Sequence, residues 1–102
     1  MPDDRIRADY DELSAIAHEF QQESQGVDAL ILRLQRCVDE LEYGGWVGRG
    51  ASAFYSEMHN DVFPALHRLA NALLEAGDAV NRISQIMREA EEAAAALFGR
   101  RT

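Results

Sequence analysis

Apolar residues recur in steps of four and three along almost the whole chain, and that spacing is what most restricts its fold. In the first half the series is Ile6, Tyr10, Leu13, Ala17, Phe20, Ser24, Val27, Ile31, Leu34, Val38 and Leu41. In the second it is Ala51, Tyr55, Met58, Val62, Leu66, Leu69, Leu73, Ala76, Val80, Ile83, Met87, Ala90, Ala94 and Leu97. A mean step of 3.5 residues is the seam of helices packed along their length, and a strand cannot present it on one face. Two consecutive fours span Val62, beside Pro64. A proline there removes the hydrogen bond to the Asn60 carbonyl and predicts a kink rather than a stop.

Between the halves lies EYGGWVGRGASAF, residues 42–54, which holds four of the seven glycines and the only tryptophan, Trp46. Glycine reaches positive φ without steric cost, so this stretch predicts a tight reversal. Trp46 is expected to fold back as a lid over the end of the hairpin core, its indole N–H near the surface. The resulting expectation is one all-α domain over residues 1–102. Helix one runs from about 6 to 42, the turn from 43 to 50, and helix two from about 51 to 98. Asp3 or Asp4 suits the start of helix one, and Gly99, Arg100 and Arg101 suit the end of helix two. A short turn makes the two helices antiparallel.

Each helix carries a second lane beside its seam. Helix one has Ile16, Glu23, Leu30 and Cys37; helix two has Ala65, Ala72, Ala79, Ile86 and Ala93. A hairpin is one seam thick and cannot bury both lanes, so a four-helix bundle of two chains is expected. Its core and dimer seam would be drawn from Leu13, Phe20, Val27, Leu34, Leu66, Leu73, Val80 and Ile83. Glu23, Ser24 and Gly26 dilute the stripe at mid-helix, and Glu23 reads better as a wet gap in the bundle than as a buried charge pair. Cys37 is expected to be buried as a small apolar residue.

Composition removes several function classes. The net charge of −8 offers no basic patch for nucleic acid or an anionic membrane. The start of the chain lacks the basic and apolar regions of a secretory signal peptide. His18, His59 and His67 form no metal-binding spacing, and the single cysteine cannot make an intrachain disulfide. The glycines belong to no phosphate loop, since no Gly-Lys-Ser/Thr follows them. No catalytic residue, cofactor, metal ion or small-molecule substrate is therefore expected.

Trp46-Val47-Gly48 lies mid-chain between two amphipathic helices in about one hundred residues, with an aromatic, Phe54, soon after. In this the chain resembles the WXG-motif family of small type VII secretion proteins, relatives of the early secreted antigenic target of mycobacteria. The resemblance implies a helical hairpin that pairs with a second copy or with a related WXG-motif chain. It implies export, folded and without a cleaved signal peptide, through a machine driven by a membrane ATPase; the protein would be cytoplasmic before export and secreted after it. It further implies a two-part export signal: Trp46 and Gly48 in the turn of one chain, and a C-terminal motif in the other. Met87, Glu91, Ala94 and Phe98 meet the spacing of that motif. Actinobacterial members carry tyrosine where this chain has Met87, so a machine that requires the ring would need a partner to supply it. The competing expectation is a cytoplasmic helical scaffold that is never exported. A scaffold should bury Phe98, whereas an export signal should leave Glu91 and part of the Met87–Phe98 face accessible.

Overall fold

The computed structural model describes residues 2–99, with side chains from Arg5 onward. Three α-helices and one π-helical turn account for nearly all of it: α1 (Pro2–Tyr43), α2 (Arg49–Glu57), the π turn (Met58–Val62) and α3 (Phe63–Gly99). α1 and α3 pack along their length as a hairpin measuring 81 × 20 × 14 Å, one helix thick. α1 begins earlier than expected because Pro2 can occupy the first helical turn, where its missing N–H is not needed. The side chains of Asp3 and Asp4, and all of Arg100 and Arg101, lie outside the described residues.

Pro64 acts on the helix just before it. The Phe63 N–H reaches the Met58 carbonyl, five residues back, which closes the π turn. That turn contains Asn60, whose carbonyl a proline four residues later cannot bond. Glu57 (φ −64, ψ −42) and Phe63 (φ −61, ψ −45) keep helical angles on either side, so the helix changes phase without ending. The inward step runs from Met58 to the buried Phe63, while Val62 is only half-buried.

This phase shift decides which lane of α3 meets α1. Ala70 and Gly77 are buried there, and Leu69 and Ile83 are 46% and 50% exposed. Ile83, expected in the core and dimer seam, lies on the outer face of the single chain. Leu69 and Met87 (40% exposed) are displaced in the same way. Leu13, Phe20, Val27, Leu34, Leu66, Leu73 and Val80 are half-buried.

Small residues win the seam because the helices come very close at this level. The Ser24 hydroxyl, 1% exposed, donates to the Ala70 carbonyl at 2.8 Å. A methyl group on Gly77 would stand 3.1 Å from the Ala17 carbonyl oxygen and 3.4 Å from the Phe20 Cβ. Ser24 is thus a close buried contact between the helices, where the sequence suggested a dilution of the stripe. Towards the turn the spacing fills with larger groups: Ile31, Val38 and Phe63 form the core, with Val27, Leu34, Phe54, Tyr55, Met58 and Leu66 against it.

Candidate recognition site: the glycine turn and the tail

The turn, residues 44–48, joins the end of α1 to the start of α2. α1 closes with the Gly45 N–H bonded to the Glu42 carbonyl (3.2 Å) and the Trp46 N–H to the Leu41 carbonyl (3.1 Å). This pair of bonds, with Gly45 left-handed at φ +81, is a Schellman cap. Trp46 is the residue whose N–H completes it. Two positions later Gly48 starts α2, its carbonyl accepting the first helical bond from the Ser52 N–H at 3.0 Å. Gly48 has φ 119 and ψ −178, a region open in practice only to glycine. The Trp-x-Gly spacing therefore has a backbone cause: tryptophan ends one helix, glycine starts the next, and Val47, 82% exposed, bridges them. Replacing Gly48 by alanine should cost about 2 kcal/mol through strain alone, read as a lower denaturant midpoint with an unchanged slope.

The Trp46 ring is fixed by α2. It packs on Phe54 (5.4 Å between centroids) and edge-on to Tyr55 (5.6 Å), and Phe54 and Tyr55 pack on each other at 5.8 Å. The Tyr55 hydroxyl donates to the Trp46 carbonyl at 3.0 Å. Its pKa is raised, first by burial and then by the nearby Glu42 carboxylate, so the donor proton is kept at neutral pH. Glu42 also lies 3.5 Å from His59 of the π turn, a solvent-exposed contact of small energetic weight. Trp46 remains 44% exposed, beside Tyr43 at 92% and Val47 at 82%. It is half lid and half surface.

The tail stands at the other end of the hairpin. Arg88 places its guanidinium 4.8 Å above the ring of Tyr10, near the start of α1. The buried Tyr10 hydroxyl has its pKa raised by that burial and then by Glu91, whose carboxylate stands near it without a hydrogen bond of good geometry. Met87, Glu91, Ala94 and Phe98 are all exposed, Phe98 at 71%, and Leu97 beside them at 65%. One chain thus brings Trp46, Phe54 and Tyr55 together, and separately Tyr10, Arg88 and Glu91. It does not bring the turn to the tail.

A Trp-x-Gly turn between two long helices in a chain of this length is what a protein-family comparison recognises. The model described as "Proteins of 100 residues with WXG" matches residues 5–92. This chain belongs to the WXG100 family. Its members are small helical proteins associated with type VII secretion that pair with other helical proteins. The match includes Trp46, Gly48, Met87 and Glu91 and stops short of Ala94 and Phe98. No curated protein and no solved structure was found to match.

On this WXG100 hairpin the lanes beside the seam are solvent-facing. Ile16 and Leu30 are each 37% exposed and Cys37 is exposed, so its expected burial does not occur within a single chain. A shallow depression of about 450 Å³ opens at mid-length, lined by Ile16, Glu19, Phe20, Gln22 and Glu23 of α1 and by Leu73 of α3. Glu23 is at its rim, exposed. Among the described residues no group of His, Cys, Asp or Glu could hold a metal ion, and no helix is long and apolar enough to cross a membrane.

Proposed function

We propose that this WXG100 protein is a non-enzymatic substrate or co-substrate of a type VII secretion machine, exported folded and paired. The turn of one chain (Trp46, Gly48) and the tail of its partner (Met87, Glu91, Ala94, Phe98) would be read together by the membrane ATPase. The observation that carries this reading is the exposure of the tail. A helix end that served only the hairpin core would bury its large apolar residues, yet Leu97 and Phe98 are 65% and 71% exposed. The separation of turn and tail in one chain fits the same reading, because a two-part signal split in this way is complete only in an assembled pair.

Export from the native cell tests it. Tagged wild type should appear in the culture supernatant. Glu91→Ala should be retained at matched intracellular level, with a fall in export of at least tenfold and unchanged helix content. Glu91 is exposed but stands near the buried Tyr10 hydroxyl, so its removal should alter stability by no more than about 1 kcal/mol. Retention of wild type and variant alike, with no signal outside the cell, would favour the scaffold reading.

A further inference from the structure

Three buried levels join α1 to α3, and their spacing fixes what lies beyond them. Ile31 and Phe63 share one core, Ser24 bonds to Ala70, and Ala17 lies against Gly77. Each step of seven down α1 is a step of seven up α3, so the next level sets Tyr10 against Ser84. Tyr10 is buried and Ser84 half-buried, as that register requires. Among the described residues nothing nearer the start of α1 is buried, and all of α3 after Ser84 is exposed. Tyr10 is the last rung between the helices.

A long side chain on a helix leans towards that helix's N-terminus. Because α3 runs antiparallel, the Tyr10 ring leans towards the C-terminal turns of α3. Arg88, one turn past Ser84, covers the ring at 4.8 Å. Glu91, three residues further on and on the same helix face, comes level with the hydroxyl. Of the charged groups of α3 around that hydroxyl, Glu91 acts most strongly, ahead of Arg88 and Glu92. The hydroxyl itself is the one buried side-chain polar atom, among the described residues, that has no hydrogen-bond partner. A buried donor is costly to leave unpaired, and the exposed, flexible Glu91 side chain needs only to turn towards it. A carboxylate offers about four lone-pair positions, so a bond to Tyr10 uses one and leaves the rest outward. We propose that Tyr10 is a positioning residue for the tail: its hydroxyl donates to the Glu91 carboxylate and holds it in one orientation for the receptor that reads it. The element presented at the tail is then built from both helices. A chain whose α1 is out of register presents Glu91 without the group that orients it.

This deepens the export reading above and rests on it for its consequence in the cell, but the bond is tested on purified protein. Tyr10→Phe keeps the ring under Arg88 and removes only the hydroxyl. At one fixed protein concentration, it should raise the unfolding constant of the wild type about threefold. In a Glu91→Ala background the same change should leave that constant unchanged or lower it, since the hydroxyl removed is then an unpaired one. Equal effects in the two backgrounds overturn the bond. NMR of the Tyr10 ring carbons gives a second readout through their titration. Burial, and then Glu91, raise the Tyr10 pKa. Glu91→Gln should bring it down, and Glu92→Gln, the same loss of charge one residue on, should bring it down less. Equal falls would mean that Tyr10 feels only the acidity of the tail, and would also overturn the bond. In the export assay Tyr10→Phe should fall about threefold at matched intracellular level, and adding it to Glu91→Ala should cost nothing further. Export of Tyr10→Phe at the wild-type level overturns the positioning role. Failure to export the wild type would remove the reading above, whereas the coupling of Tyr10 to Glu91 is decided without it.

Discussion

Trp46→Ala should stop export almost completely while leaving the hairpin folded. The two effects separate because of how the residue is held. What Trp46 gives to the backbone is its N–H, bonded to the Leu41 carbonyl, and its carbonyl, which accepts from Tyr55. Alanine supplies both. What is lost is a half-exposed ring and its contacts with Phe54 and Tyr55, a stability cost of about 1–2 kcal/mol. Phe54→Ala is the stability control, since it removes the other side of the same ring contact together with packing against the Ile31, Val38 and Phe63 core, and leaves the exposed tryptophan surface in place. Circular dichroism should show full helix content in both variants. Supernatant assays should find Phe54→Ala outside the cell and Trp46→Ala more than tenfold depleted. Export that falls in step with stability in both proteins would return Trp46 to the role of a core lid.

The largest structural effect should come from Gly77→Leu. A single methyl at this position would already press on the Ala17 carbonyl at 3.1 Å, and backbone on the facing helix cannot swing aside as a side chain tip can. A leucine must drive α1 and α3 apart, breaking the Ser24–Ala70 hydrogen bond and opening the tightest part of the seam. Overpacking of about 1–3 kcal/mol adds to a lost buried bond of roughly 1 kcal/mol. The sum, on the order of 4 kcal/mol at its upper end, is a large part of the stability of a chain this size. Thermal unfolding should fall by well over 10 °C. Gly77→Ala should cost far less, about 1 kcal/mol, because helix propensity offsets part of the clash. Equal midpoints for leucine and wild type would mean that the close crossing is not the joint of the hairpin.

The sequence spoke clearly wherever size and hydrophobicity agreed. On α1 every second seam position, Tyr10, Ala17, Ser24, Ile31 and Val38, is buried on the spacing read from the sequence. On α3 the two signals part. Leu69 and Ile83 are the more apolar choice, yet Ala70 and Gly77 face α1, because closeness between helices rewards the absence of a side chain more than the presence of a large one. Nothing in hydrophobic spacing marks that exchange. The extra residue taken up by the π turn was visible only as two consecutive steps of four near Pro64. The turn was legible as a motif, but the division of labour inside it was not. Gly45 and Gly48 hold positive φ, while Gly50 lies within the first turn of α2. The contact between Tyr10 and Arg88 was missed altogether, since a ring and a cation 78 positions apart leave no local trace.

The hairpin measures 81 Å by 20 Å by only 14 Å. Two such slabs laid face to face would give a slender rod somewhat deeper than it is wide. A conduit that passed such a rod lengthwise would need a bore set by that section rather than by its length. For cargo threaded in the folded state, the slenderness of the seam at Ser24, Ala70 and Gly77 is therefore a limit on calibre as much as a source of stability.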